Sequence, residues 1–127
     1  MDVISRLDIF NPAEMELSNE FHSYDLNERI EFAFDSATRL LRVAKVQLEQ
    51  ESFAHLEFSV HKLRSLFLAV GCDRLSFLFE KIYKNLSKIN VVYLRELFAI
   101  ANREFDAASD AVEDFLLAGA TPSMLQA

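Results

Sequence analysis

Residues 53–70, FAHLEFSVHKLRSLFLAV, place large apolar side chains at alternating intervals of three and four residues. These side chains belong to Phe53, Leu56, Val60, Leu63, Phe67 and Val70. An average period of about 3.5 residues keeps them on one face of an α-helix, and it is typical of a helix packed lengthwise against other helices. The stretch therefore predicts an amphipathic helix with one face in a helical core.

The same spacing recurs on both sides of this stretch. Before it the apolar positions are Ile30, Phe34, Ala37, Leu41, Ala44 and Leu48, and after it they are Leu75, Leu78, Phe79, Ile82 and Leu86, then Leu94, Phe98, Ala101, Phe105, Ala108, Val112 and Phe115. Two glycines and two prolines in the whole chain offer few of the turns that a sheet needs. We therefore predict an all-α fold, an up-down-up-down four-helix bundle, because short connections make consecutive helices antiparallel neighbours.

Polar residues and a glycine mark the predicted helix ends. Asp25, with Glu28 three residues later, matches a capping box at the start of the first helix. Ser52 and Asp73 are placed to cap the second and third helices. Gly71 can adopt the left-handed conformation that ends the second helix.

The N-terminal residues predict one further element. Asn11 followed by Pro12 reads as a cap and a first-turn proline, so we expect a short helix near residues 12–21, laid across the bundle. A chain of 127 residues is too short for two independently stable cores. The predicted organisation is a single domain, 1–127, with an N-terminal segment (1–24), the four-helix bundle (25–118) and a C-terminal tail (119–127).

The charge distribution is uneven. The formal net charge of −7 argues against binding nucleic acid, which needs a basic surface. Residues 61–88, however, contain six basic residues and two acidic ones, whereas the remainder holds seven basic and 18 acidic. This locally basic segment would attract an acidic partner.

A few residues allow predictions about the cellular compartment of the protein and about its association with membranes. Cys72 is the only cysteine, so no intramolecular disulfide can form and a reducing compartment is expected: the cytoplasm, and the nucleus as well in a eukaryote. Asp2, Arg6 and Asp8 interrupt the N-terminus where a signal peptide would be apolar, and the longest apolar run, near residues 66–70, is too short to span a bilayer. We expect no membrane association.

His61 lies on the opposite side of the helical wheel from the apolar stripe of its helix. Beside it, Phe58 and Leu68 are apolar residues without a core to enter, which suggests a partner surface. An exposed neutral imidazole can act as a nucleophile and carry a group covalently. Arg64, one turn later, could pair with phosphoryl oxygens on the ring. Glu57, one turn earlier, could bind the second ring nitrogen and fix its tautomer.

Ser65, at the fourth position after His61, is small, and a bulky side chain there would block a partner's access to the ring. At these residues the sequence resembles a histidine-containing phosphotransfer (HPt) domain, with the motif H-x-L-K-G-S, four variable residues, then G-a-x-x-L. The matching positions are His61, Leu63, Arg64, Gly71 and Leu75, followed by Glu80 at the later acidic position. In pattern, the resemblance covers roughly residues 26–116.

The resemblance implies a role. His61 would accept a phosphoryl group from the aspartate of one response-regulator receiver domain and pass it to another, in a relay fed by a hybrid sensor histidine kinase. The receivers would supply Mg²⁺ and most of the catalytic machinery, so the chain would be a monomeric carrier without a cofactor or an independent catalytic activity. Residues expected to bind the partner are Phe58, Lys62, Leu68, Arg74, Lys81 and Lys84.

This sequence departs from the family pattern at several positions. Arg64 replaces the lysine, Ser65 replaces the glycine, and Leu66 and Phe67 stand where small residues usually follow. Tyr83 stands where some members have a glutamine that touches the ring. Arginine keeps the charge but prefers bidentate pairing. Tyr83 could bind the ring through its hydroxyl or pack against it.

Other readings of the same residues stay open or are weak. His22, His55 and His61 lack the spacing of metal ligands, and we expect no metal site. The alternative function is an HPt-like adaptor that is not phosphorylated and binds receivers or kinases stoichiometrically. A bundle that dimerises through its exposed Phe58 and Leu68 is a further alternative.

Overall fold

The computed structural model of the protein describes residues 7–12 and 26–126, and within these residues it contains helices and no strand. The helices are α1 (Leu26–Glu49), α2 (Phe53–Ala69), α3 (Asp73–Asn85), a 3₁₀ turn (Leu86–Lys88) and α4 (Val91–Gln126). The all-α prediction is confirmed. The predicted short helix near 12–21 lies, after its first residue, outside the described residues, and so does the predicted capping aspartate at residue 25.

Side-chain pairs between helices show that sequential helices run antiparallel. Ser59, early in α2, meets Gln47, late in α1. For the other helix pairs, two contacts each fix the direction. Glu57 and Arg64 of α2 meet Tyr83 and Glu80 of α3. Arg74 and Phe79 of α3 meet Glu104 and Phe98 of α4, and Phe34 and Glu49 of α1 meet Phe105 and Arg95 of α4. The up-down-up-down arrangement is thus confirmed.

The core is built from the apolar stripes read from the sequence. Nearly all of their members are buried, with Phe34, Phe53, Phe105 and Phe115 only partly so. Phe67 lies at the centre, its ring 5.6 Å from Phe79 and 5.8 Å from Phe105 between centroids. Each fully buried side chain of this size contributes about 1.5–3 kcal/mol of hydrophobic stabilisation.

Within residues 7–12 and 26–118, one polar residue is buried in this apolar interior. Ser59 is 3% exposed, and its hydroxyl donates to Gln47 Oε1 at 2.8 Å. The hydrogen bond offsets the cost of burying the hydroxyl and fixes α2 against α1.

The helix ends differ from their sequence predictions in detail. Ser52 occupies the N-cap position of α2 but makes no side-chain cap; its hydroxyl lies 3.3 Å from His55 Nδ1 instead. Asp73 is the first residue of α3 rather than its cap, which is Cys72. The side chain of Asn90 does cap α4, accepting from the Tyr93 amide at 3.1 Å. The rotamer of each polar side chain decides whether it caps a helix, and the spacing of polar residues in the sequence does not determine that rotamer.

The C-terminal residues continue the last helix of the bundle. The predicted tail, 119–127, is largely a continuation of α4, which reaches Gln126 despite Pro122. Proline removes one helical hydrogen bond, so it marks a probable helix boundary in a sequence without forbidding a helix.

An N-terminal strap, residues 7–11, crosses the turn between α2 and α3. The Asn11 amide donates to the Gly71 carbonyl at 2.7 Å, and the Arg74 amide donates to the Asp8 carbonyl at 2.9 Å. The Phe10 ring packs edge-on against Phe115 of α4, with 5.6 Å between centroids. The strap therefore ties one end of the bundle together.

Ile89, between the 3₁₀ turn and α4, has φ 50° and ψ 39° and is 58% exposed. A β-branched residue in this left-handed region costs about 1–2 kcal/mol, because its Cβ crowds the carbonyl oxygen. We expect Ile89→Asn to raise the free energy of unfolding by about 1 kcal/mol in urea denaturation, since asparagine tolerates this conformation. Ile89→Val keeps the branch and should give no gain. Equal gains from both variants would rule out strain as the cause.

Candidate functional site

His61 projects from the middle of α2, away from the core. Its neighbours in sequence at Val60 and Leu63 are buried, whereas His61 itself is exposed, as the helical wheel predicts. Because buried residues on both sides hold the helix in the bundle, the imidazole stands on a rigid support.

Arg64 lies beside the ring. One guanidinium nitrogen, Nη2, is 3.3 Å from His61 Nδ1. A guanidinium only donates hydrogen bonds, so Nδ1 must be the acceptor in this contact. This hydrogen bond requires the tautomer whose ring proton is on Nε2. No other residue of the described chain hydrogen-bonds the ring, which leaves Nε2 open to a partner.

Glu80, on α3, binds the other terminal nitrogen of the Arg64 guanidinium. Arg64 Nη1 donates to Glu80 Oε2 in an ion pair, and Lys84 Nζ lies 3.6 Å from Glu80 Oε1. The hydrogen bond from Arg64 lowers the pKa of Glu80, against some opposing desolvation, and the charges of Arg64 and Lys84 add to the effect. Glu80 therefore stays a carboxylate at neutral pH.

Tyr83 lies on the same side of the ring. Its ring centroid is 6.2 Å from that of His61 at a tilt of 51°, and the guanidinium carbon of Arg64 is 5.6 Å from the tyrosine centroid. Its hydroxyl donates to Glu57 Oε1 at 3.4 Å rather than to the imidazole. Of the two options left open for Tyr83, the structure has the packing one.

The expectation that Glu57 binds the second ring nitrogen of His61 is wrong in this structure. Arg64 occupies Nδ1, and the Glu57 carboxylate instead accepts from Tyr83 across the α2–α3 interface. Glu57 can reach the ring only indirectly, by holding the tyrosine.

A shallow groove of about 400 Å³ runs along the other side of His61, between α1 and α2. It is lined by Ser36, Leu40, His61, Lys62, Ser65, Leu66 and Ala69. Ser65 is exposed within it and leaves the approach to the ring unobstructed. Three large apolar side chains, Phe32, Phe58 and Leu68, lie nearby on the same two helices and are more than 60% exposed. The imidazole thus stands between an apolar surface and a charged one.

The basic residues predicted to meet a partner divide into two groups. Lys62 lies over the Phe58 ring, 4.6 Å from its centroid, and Lys81 and Lys84 are exposed on α3. Arg74 is different. Its guanidinium pairs with Glu104 and donates to the Leu7 carbonyl, so it fastens the strap to the bundle end and the prediction that it faces a partner is not supported.

Two features of the site were missed in the sequence. Glu80 was assigned only to a motif position, although it pairs with Arg64 sixteen residues away. Phe32 and Leu40 of α1 form the far wall of the apolar surface. Phe32 falls opposite the buried stripe of α1 on a helical wheel, which is a signal that could have revealed it.

Other reactive groups in the described residues do not form a second site. Burial raises the pKa of the Cys72 thiol to about 12, and Asp73 adds to this effect, so the thiol stays protonated. No group of three or more His, Cys, Asp or Glu residues in 7–12 and 26–126 is arranged to hold a metal ion. Over the same residues, no helix combines the length and the hydropathy that crossing a bilayer requires.

Comparison with known proteins identifies the fold. No protein-family model matches the chain, and neither does any curated protein. Among solved structures, the chain is similar to a rice protein provisionally described as a histidine-containing phosphotransfer protein. The TM-score is 0.72 at 18% identity, over 89% of this chain and 82% of that one. The chain shares the fold of that protein, a helical bundle. The resemblance read from the motif thus extends to the tertiary structure.

Proposed function

We propose that the protein is a phosphorelay carrier, which accepts a phosphoryl group on His61 from a receiver-domain aspartate and passes it to the aspartate of another receiver. The observation that carries this proposal is an exposed imidazole on a rigid helix, with Nε2 open and a guanidinium against Nδ1. The HPt fold supports it. Phosphoryl transfer depends on positioning and on charge stabilisation, which this arrangement can supply.

The transfer step uses the lone pair of Nε2. With its proton on Nδ1, the ring attacks phosphorus; the N–P bond forms as the P–O bond to the aspartyl carboxylate breaks, and the carboxylate leaves with that electron pair. Arg64 holds the opposite tautomer in this structure, so its N–H must leave Nδ1 before attack. Once freed, the guanidinium can pair with the phosphoryl oxygens.

The partner is a receiver domain whose active site gathers carboxylates and Mg²⁺, and a hybrid sensor kinase would feed the relay. The apolar surface around Phe58 and Leu68 would dock it, and Lys62, Lys81 and Lys84 would steer an acidic rim towards His61. The chain needs no cofactor of its own in this scheme and acts as a monomer in the cytoplasm, or also in the nucleus of a eukaryote.

The test is transfer from a phosphorylated receiver of the same organism. We expect label on this protein that is acid-labile and base-stable, as a phosphoramidate bond is, and that a second, unphosphorylated receiver removes when Mg²⁺ is present. Stoichiometric binding to receivers without label from any of them would instead identify the protein as an HPt-like adaptor. Label that is acid-stable would place the phosphoryl group on a hydroxyl and contradict the proposal.

Arg64→Ala should shorten the lifetime of the phosphohistidine about three- to tenfold, the range expected for losing one solvent-exposed, charge-assisted hydrogen bond. The lifetime is measured as loss of label after removal of the receiver, with thermal melting as the check on folding. Arg64→Lys, which keeps the charge, should retain most of the phosphohistidine lifetime that Arg64→Ala loses. An unchanged lifetime in Arg64→Ala would remove this residue from the site.

A further inference from the structure

The guanidinium of Arg64 contacts three neighbouring side chains at this site. Arg64 donates through Nη1 to Glu80 and through Nη2 to His61 Nδ1, and it lies over the Tyr83 ring. The bond to Glu80 joins two charges, whereas the contact with the imidazole has a neutral acceptor. Opposite charges on both partners make the bond to Glu80 the stronger of the two, so Glu80 is the principal anchor of Arg64.

Glu80 is itself held in place. It sits on α3, whose inner face is buried in the core, and Lys84 lies one turn further on at 3.6 Å from its second oxygen. Glutamate placed four residues before lysine is the favourable order for a helical pair. The anchor therefore belongs to the rigid part of the bundle.

The anchored position lies on the Nδ1 side of the imidazole. A phosphoryl group on Nε2 would extend from the opposite side of the ring, so Arg64 must shift to pair with it. Glu80 opposes that shift, because its carboxylate and the phosphoryl oxygens compete for the same donors. Glu80 therefore opposes two events. The first is the release of Nδ1 by Arg64, which the tautomer change before attack requires, and the second is the pairing of Arg64 with the phosphoryl oxygens after attack.

We propose that Glu80 is a positioning residue that restrains Arg64 at Nδ1 of His61 and thereby shortens the lifetime of the phosphohistidine. The restraint on the unmodified ring follows from the geometry alone, while its use in a relay rests on the proposed function. A carrier gains from such a restraint, since a phosphoryl group that is too well stabilised would not be passed on.

Chemical phosphorylation with phosphoramidate tests the proposal without a receiver. His22→Gln and His55→Gln form the common background, so that label resides on His61. In that background we expect Glu80→Gln to lengthen the phosphohistidine half-life about two- to fivefold, as suits a partly exposed ion pair. Glu49→Gln, which removes a more exposed interhelical ion pair with Arg95, is the control and should leave the half-life unchanged.

The double variant shows whether Glu80 acts through Arg64. In the presence of Arg64→Ala, the change Glu80→Gln should have no further effect on the half-life. An undiminished effect would mean direct repulsion of the phosphoryl group by the carboxylate, and would overturn the proposal. A shorter half-life in Glu80→Gln alone would also overturn it, because Glu80 would then be presenting Arg64 to the phosphoryl group.

The unmodified ring gives an independent readout through its ¹⁵N chemical shifts under alkaline conditions, where imidazole is neutral. In the parent protein Nε2 should carry the proton and Nδ1 should show the shift of a hydrogen-bonded acceptor. Glu80→Gln and Arg64→Ala should both move Nδ1 towards the shift of an unconstrained imidazole. A protonated Nδ1 in the parent would overturn the restraint. If phosphoramidate labels His61 and these effects hold while receivers transfer nothing, the proposed function fails and the restraint stands.

Discussion

A His61→Gln variant should take no label from a phosphorylated receiver and should melt at the same temperature as the parent protein. Glutamine has no nucleophilic nitrogen, so the N–P bond cannot form. His61 is exposed, and its contacts are the long hydrogen bond to Arg64 and the tilted ring of Tyr83. Exposed substitutions of this kind change the free energy of unfolding by less than about 0.5 kcal/mol.

The matched control is His55→Gln. His55 is exposed on the same helix, and within the described part of the chain its hydrogen-bond partner is Ser52 rather than an arginine. We expect His55→Gln to label like the parent protein. Label that persists in His61→Gln and disappears in His55→Gln would move the acceptor to the other histidine, and a large fall in the melting temperature of His61→Gln would show that the ring packs into the fold.

Gly71→Ala should lower the free energy of unfolding by about 2–4 kcal/mol. Gly71 has φ 73°, a conformation in which a side chain costs about 1 kcal/mol. A Cβ there would also overlap the Asn11 carbonyl oxygen and lie 2.8 Å from its carbon. Backbone atoms cannot rotate away as a side chain can, so the strap must lift and expose Ile9 and Phe10.

Denaturant titration measures the size of this loss, and amide hydrogen exchange locates it. The amides of Asn11 and Arg74, which bond across the strap, should lose protection first in Gly71→Ala, while core amides of α2 remain protected. A loss below about 1 kcal/mol, with the Asn11 amide still protected, would show that the strap does not rest on Gly71.

The core was predictable because its information is local. Leu56, Val60, Leu63 and Phe67 are within a few residues of one another, and helical geometry alone puts them on one face. The same argument placed His61 outside the core. Once four such stripes with short connections exist, burying them against each other leaves few arrangements other than a bundle.

The partners of the site residues were not predictable in this way. Arg64 could have faced His61, Glu80 or solvent, and the choice depends on how α3 is set against α2. Glu57 is an example of a wrongly predicted partner. It lies four residues before His61 and was expected to bind the ring, but its carboxylate accepts a hydrogen bond from Tyr83 of α3 instead. A helical wheel contains no information on the neighbouring helix.

The sequence by itself determined the four helices, their buried faces, the exposed histidine and the glycine that ends α2, since each follows from the conformational preferences of residues less than two turns apart. Only the tertiary structure decided that Glu80 pairs with Arg64, that the exposed Phe32 lies beside Leu66 and Ala69 of α2, and that Arg74 binds the strap. These contacts join residues 16 to 67 positions apart or different helices, and they are selected by packing and charge in the assembled bundle.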